Sequence, residues 1–336
     1  MILITGATGL VGTHLLAKLL EEYSSSDLKP LYRTESKKKY SLQVISEVYG
    51  ASVAEKAKQC QWTMADVLDI PQLTDAFEKV TLVYHCAGFI SNSPSDRRMI
   101  RKINTEGTEN MVNLAIDFGV KKFLHVSSIA TLGKPKEGII TSENNYKESL
   151  QNASFYSLSK FGGEMEVWRA SQEGLSIVIV NPGVILGEGF YTTGSGKIFH
   201  EANKNIPFYL PKTTGFTDVR FLAQVMFLLM KSDISSERFI VVNENKDFGE
   251  VQKLIAKALG KRPPSIRLQK WMLYLMWFAE LLTSFFRKRQ LTRDVVEGVL
   301  ESSWYENTKL NTALKTENSS IEASVNRVVA HYKNLK

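Results

Sequence analysis

Met1-Ile2-Leu3-Ile4-Thr5-Gly6-Ala7-Thr8-Gly9-Leu10-Val11-Gly12 opens the chain, and the fold follows from how this stretch is read. The apolar run ending at Thr5 suits a buried strand, and the amphipathic stretch from about 10 to 22 suits a helix. Three glycines, each three residues apart, lie between them. Glycine there lets the chain turn tightly, lets its backbone approach a ligand, and lets the helix pack close to the strand. The free N–H groups at the helix start attract phosphate. A glycine-rich turn in this setting predicts a dinucleotide site built on Gly6, Ala7, Thr8, Gly9, Leu10, Val11 and Gly12.

Outward from this turn, short apolar runs near 28–33, 81–85, 122–127 and 175–181 alternate with helical patterns near 104–118 and 156–172. Such alternation predicts βαβ crossovers and an α/β fold, a Rossmann-type doubly wound parallel sheet. After Asn181-Pro182-Gly183 the pattern weakens into a Gly/Thr-rich loop at 187–196 and a proline-punctuated stretch at 206–215. It resumes with a helix near 218–231 and a strand at 239–242. The expected organisation is a dinucleotide-binding domain from 1–183 plus 217–243, with a smaller, mainly helical substrate lobe from 184–216 plus 244–336.

With 336 residues, 43% hydrophobic and 23% charged, the composition is that of a folded protein with a substantial core and excludes a disordered chain. Cys60 and Cys86 are too few for a disulfide framework and have no metal-like spacing with the five histidines, so no metal is expected. A strand at the very start leaves no room for a secretory leader, which makes the cytoplasm the expected location. The net charge of +7 comes from short clusters, Lys37-Lys38-Lys39, Arg97-Arg98, Lys121-Lys122 and Arg287-Lys288-Arg289. Scattered clusters predict solvated surface plus a cofactor-phosphate contact, not a nucleic-acid stripe. The most apolar stretch, Trp271 to Phe286, contains Glu280 and is shorter than the ~20 residues needed to cross a bilayer. A buried helix of the substrate lobe or a pocket wall is expected there, with contact of 271–289 with a membrane surface as the alternative. A small-molecule substrate is the expected partner, and a homodimer is compatible with the sequence.

Arg33 ends the second strand pattern about 20 residues beyond the last glycine, where an NAD site would place an acid against the ribose hydroxyls. Arg33, with Lys37 close behind, offers donors suited to a phosphate. This favours NADP(H), while Glu35 keeps NAD(H) open. Further on, Tyr156-Ser157-Leu158-Ser159-Lys160 places a phenol and an ammonium on one helical face. A fixed cation beside a phenol of pKa ~10 would lower that value and permit acid/base chemistry near neutral pH. Val126-Ser127-Ser128 closes an apolar strand at the sheet edge where doubly wound folds bind ligands.

The TGxxGxxG turn, the serine-ended strand and the YxxxK pair, in this order, resemble the extended short-chain dehydrogenase/reductase superfamily, or NAD-dependent epimerase/dehydratase family. The pattern is closest to dihydroflavonol 4-reductase-like and 3β-hydroxysteroid dehydrogenase-like members. The resemblance covers nearly the whole chain, including Leu291-Thr292-Arg293 and Tyr305-Glu306-Asn307-Thr308-Lys309-Leu310. It implies that Tyr156 exchanges a proton, Ser128 and not Ser127 holds the substrate oxygen, and Lys160 also holds the nicotinamide ribose. It further implies that Asp66 and Val67 lie at the adenine and that Cys86, Ala87 and Gly88 lie beside the adenosine ribose. Asn104, in an NxxGT segment, would support the active-site strand and cofactor loop. The backbone of Pro182, Gly183 and Val184 would meet the nicotinamide carboxamide. Dehydratases of the superfamily carry an Asp-Glu pair just after the catalytic hydroxyl residue; Ile129-Ala130-Thr131 stands here instead, which argues against dehydration.

The expected activity is therefore NADP(H)-dependent reduction of an aldehyde or ketone of an apolar small molecule, or oxidation of the alcohol. A nucleotide-sugar epimerase with tightly bound NAD is the enzymatic rival. A C-terminal region rich in Trp, Phe, Met and Leu, with no evident arginine clamp for a diphosphate, speaks against it. A non-catalytic NADP sensor is the rival of another class, and the retention of Ser128, Tyr156 and Lys160 together speaks against that.

Overall fold

A computed structural model describes residues 1–91, 93–135, 138–147, 153–283, 293–316 and 319–335. Its centre is a seven-stranded sheet of Ile2–Thr5, Leu28–Tyr32, Thr63–Met64, Leu82–His85, Lys122–Val126, Ile177–Pro182 and Glu237–Val241. Counted along the chain, these strands lie in the order seventh, sixth, fifth, fourth, first, second, third, and every neighbouring pair is parallel. The Rossmann-type architecture expected from the sequence is thus present.

Alternate residues of each strand point to opposite faces of the sheet, and the core divides accordingly. Ile2, Ile4, Tyr84, Leu124, Val126, Val178 and Val180 pack on one side with Leu15, Leu16, Leu222 and Met226. Leu3, Val83, Phe123, Ile177 and Ile179 pack on the other with Leu73, Met111, Val112 and Val167. Both faces are therefore covered, as a parallel sheet requires. The first strand lies between the second and fourth, so the turns after the first and fourth strands meet at the point where strand order reverses. In such sheets that crevice binds ligands.

The helices expected near 10–22, 156–172 and 218–231 span Leu10–Leu19, Phe155–Gln172 and Val219–Lys231. The one expected over 104–118 is an α-helix only from Gly107 to Asp117, preceded by a π-helical turn at Lys102–Glu106. Beyond Pro182 the chain builds more strand than expected: Val184–Leu186, Thr213–Asp218 and Glu244–Asp247 form a second, three-stranded sheet. The C-terminal helix Ile321–Asn334 packs against it and against Phe248–Ala258 through Val325, Val328, Phe216 and Val251.

Helix Lys270–Thr283 departs from the expected buried helix. Leu273 points inward, but Trp271, Leu275, Met276, Phe278 and Leu281 are exposed. The helix is apolar nearly all round, and the stripe of Leu273, Trp277 and Glu280 is the more buried one. The residues 284–292, including Arg287-Lys288-Arg289 and Leu291-Thr292, lie outside the described residues. Among the described residues, no helix is long and apolar enough to cross a membrane.

Candidate active site

The glycine turn is built by close approach. Gly6 has φ +64, and a side chain there would meet the backbone of Cys86 and Ala87 at 2.7 Å. A Cβ at Gly12 would lie 2.3 Å from the Gly6 carbonyl, so the helix sits directly on the turn. Gly9 caps that helix without a side-chain hydrogen bond, which leaves its first N–H groups to an anion. Ala7 is buried, while Thr8, Leu10 and Val11 are partly exposed. The Ala7 carbonyl accepts from Thr13 Oγ1 at 3.1 Å and Ser41 Oγ at 3.2 Å. This cradle, which added side chains would fill, fits a bound pyrophosphate.

Arg33 follows the second strand, half-exposed, with Nη1 3.6 Å from Asp66 Oδ2. Thr34 then caps the helix Glu35–Tyr49, and Lys37 lies in its first turn. Partial burial, and after it the Arg33 charge, hold the Lys37 ammonium below its ordinary value. Lys38 turns away, over the Tyr32 ring at 4.8 Å and toward Glu35 at 3.9 Å. Arg33 and Lys37 thus form a local pair of positive charges, partly offset by Asp66. Asp66 Oδ1 accepts from the Leu68 amide, and Asn110 donates to the Val67 carbonyl at 3.0 Å, which fixes this loop beside Arg33.

At the end of the fourth strand, Ala87 N donates to Thr5 Oγ1 at 3.1 Å and Cys86 N to Thr5 O at 3.3 Å. Burial pushes the Cys86 thiol up to about 12, so it stays protonated. A Cβ at Gly88 would sit 3.5 Å from Asn104 Oδ1 and 3.9 Å from Lys160 Nζ, bringing the small-residue turn to the catalytic helix. Asn104 lies in the π-helical turn, a feature that often marks functional sites. It accepts from Phe89 N at 2.8 Å and donates to Phe89 O at 3.0 Å and Ser159 Oγ at 2.9 Å. It thereby ties the Phe89 backbone to the helix of Ser159.

Ser154 caps the helix Phe155–Gln172, placing Tyr156 in its first turn. Ser128, on a different element, faces the Tyr156 phenol closely enough to act on its proton affinity. Burial raises the phenol above its ordinary value and the Ser128 hydroxyl opposes that rise. The lowering expected from Lys160 is not seen, because its ammonium donates to the Val126 carbonyl at 2.6 Å. Lys160 is 5% exposed. Burial pulls it down to about 8, against the opposing effects of Glu164 and Cys86. Ser127 donates to Glu164 Oε2 at 2.6 Å. Pro182 ends the sixth strand, Gly183 N donates to Thr217 Oγ1 at 2.9 Å, and Val184 starts the second sheet.

Sequence reasoning missed the support behind this site. Glu164, fully buried one turn beyond Lys160, also accepts from Thr131 Oγ1 at 2.7 Å, Asn181 Nδ2 at 3.0 Å and Arg238 Nη1 at 3.0 Å. Asn181 in turn donates to the Ser128 carbonyl at 3.1 Å. The i+4 spacing of an acid on the buried face after Lys160 was the available signal.

A model of the NAD dependent epimerase/dehydratase family matches residues 2–207. The chain is 26% identical over 268 residues to sterol demethylase protein B of Methylococcus capsulatus, covering 79% of this chain and 76% of the other. It is 24% identical over 339 residues to a putative dihydroflavonol 4-reductase of Synechocystis, covering 98% and 94%. The crystal structure of gox2253 superposes with a TM-score of 0.81 at 25% identity, covering 100% of this chain and 98% of the other. On the family match and the Rossmann sheet together, the chain belongs to the NAD-dependent epimerase/dehydratase family of extended short-chain dehydrogenases/reductases.

Proposed function

We propose that the chain reduces an aldehyde or ketone of an apolar small molecule with NADPH, or runs the reverse oxidation, with Tyr156 as acid/base. The observation that carries this reading is the buried Lys160, one helical turn from Tyr156, held at the end of the Ser128 strand by the Val126 carbonyl and beside Gly88. In it, Ser128 holds the substrate oxygen and Tyr156 gives or takes the proton at that oxygen. Lys160 presents its ammonium to the nicotinamide ribose, and the N–H groups at Gly9 to Gly12 receive the pyrophosphate. Arg33 and Lys37 receive the 2′-phosphate, Asp66 and Val67 border the adenine, and Cys86, Ala87 and Gly88 border its ribose. Asn104 supports that cofactor loop, and Pro182, Gly183 and Val184 border the nicotinamide carboxamide. When bound, the nicotinamide supplies or accepts the hydride at the reacting carbon.

Arg220 and Arg327 are paired with Glu188, and Arg238 with Glu164. These pairings withdraw three arginines from any diphosphate clamp, which supports an apolar carbonyl over a nucleotide sugar. The test is NADPH consumption with a panel of apolar ketones and UDP-sugars, in the chain and in Tyr156→Phe. Expected is net NADPH oxidation with apolar ketones, reduced at least ~100-fold in Tyr156→Phe with cofactor binding retained. Unchanged turnover in that variant rejects the proton-transfer role, and conversion of a UDP-sugar without net redox change rejects the reductase reading.

A further inference from the structure

Helix Lys270–Thr283 leaves an apolar face uncovered. Trp271, Leu275 and Phe278, spaced four and three residues apart and hence on one helical face, are 59%, 60% and 53% exposed. Met276 and Leu281 extend this face, and Ile266, in the strand leading into the helix, is also exposed. The opposite stripe, Leu273, Trp277 and Glu280, is buried or partly buried. Single exposed hydrophobic residues are ordinary, whereas a contiguous face marks a surface that is covered in use.

The charges around the helix start identify the cover. Arg267 and Lys270 are exposed there, Arg262 is exposed in the segment leading to it, and the first turn holds no acid. The helix dipole disfavours cations at an N-terminus, so these charges oppose the helix and call for an external anion. The single acid of the helix, Glu280, belongs to the inward stripe. A second copy of the chain would bring the same cations to a face without an outward acid, whereas anionic headgroups neutralise them. Its described part, Lys270–Thr283, is 14 residues and about 21 Å long, long enough to lie along a bilayer surface.

We propose that this helix docks the protein on an anionic phospholipid surface, with Trp271, Leu275 and Phe278 in the headgroup region and Arg262, Arg267 and Lys270 against lipid phosphates. The basic run 287–289 plays no part in the argument, and the proposal stands independently of the reductase reading.

The test is sedimentation of the full chain with vesicles of phosphatidylcholine alone and with phosphatidylserine added. Expected is binding that requires phosphatidylserine, weakens with salt, and falls at least about tenfold in a Leu275→Glu/Phe278→Glu variant. Both positions are exposed, so its melting temperature and cofactor binding should match those of the parent. Quenching of tryptophan fluorescence by brominated lipid, reduced in Trp271→Phe, gives a second readout that needs no charge insertion. The proposal is overturned by any one of four results: no sedimentation with phosphatidylserine vesicles, undiminished binding of the double variant, equal quenching in Trp271→Phe, or a lipid-free dimer that the double variant makes monomeric. The last would assign the face to a second copy.

Discussion

Arg33 and Lys37 stand side by side; among the described residues Lys37 forms no ion pair, while Arg33 leans on Asp66 at 3.6 Å. Two neighbouring cations gain most from a doubly charged phosphate, which NADPH carries and NADH lacks. Arg33→Ala should therefore weaken NADPH binding at least ~tenfold and leave NADH within about twofold, as measured by fluorescence titration of both cofactors. Equal losses would reject the phosphate contact. The sequence displayed three consecutive lysines without separating them. Only the helix that Thr34 caps turns Lys37 toward Arg33 and sends Lys38 to the Tyr32 ring. Tyr156, Lys160 and Ser128 were legible because their order and spacing are local properties of the chain. Glu164 showed only its i+4 spacing from Lys160, and its pairing with Arg238 was not legible, because the ion pair joins positions 74 residues apart.

The catalytic helix is seated by two consecutive glycines against the π-helical turn that carries Asn104. A Cβ at Gly163 would lie 2.2 Å from the Asn104 carbonyl, and one at Gly162 would lie 2.8 Å from Thr105 Oγ1. Gly163→Ala should therefore push the helix from the turn, destabilise the chain by about 1–3 kcal/mol and weaken cofactor binding through the Asn104–Phe89 contacts. Chemical denaturation and cofactor titration read the two effects, and a variant as stable as the parent would show that the contact relaxes freely. The central strands were readable because they are continuous apolar runs buried on both faces. The third, Thr63–Met64, is too short to show a pattern, and Met64 is exposed. Helix Glu35–Tyr49 was missed because its first turns are polar, and its buried positions, Ser41, Val44 and Ile45, make only a narrow stripe. The π-helical turn was missed for another reason: its residues carry a helical pattern, and one extra residue in a turn leaves no signature in hydrophobic spacing.

A buried polar network joins the glycine-turn helix to the C-terminal helix. His14, on the first, lies 2.6 Å from Tyr49 OH through Nδ1 and 3.1 Å from the Glu188 carbonyl through Nε2. A carbonyl only accepts, so Nε2 carries the proton and Nδ1 accepts from Tyr49. Glu188 pairs with Arg220 and, at 2.8 Å, with Arg327 of the C-terminal helix, which also binds Asp218. Burial lowers His14 to about 4, so it is neutral in the folded chain at neutral pH. Burial alone would raise Glu188, but the charges of Arg327 and Arg220 carry it below its ordinary value. The unfolded chain takes up a proton at His14 near pH 6.5 and the folded chain only near 4, so stability falls as pH drops between those values. This single group contributes about 3 kcal/mol to that loss. The depressed carboxylates extend it in the same direction, since their stabilising charge disappears as pH falls through their folded values. In His14→Gln there is no such proton to take up. The stability gap between parent and variant, measured by urea denaturation from pH 7 down to about 4, should therefore narrow by about 3 kcal/mol as acid is added. A gap that stays constant over that range would mean that His14 is not held neutral at the junction of the two helices.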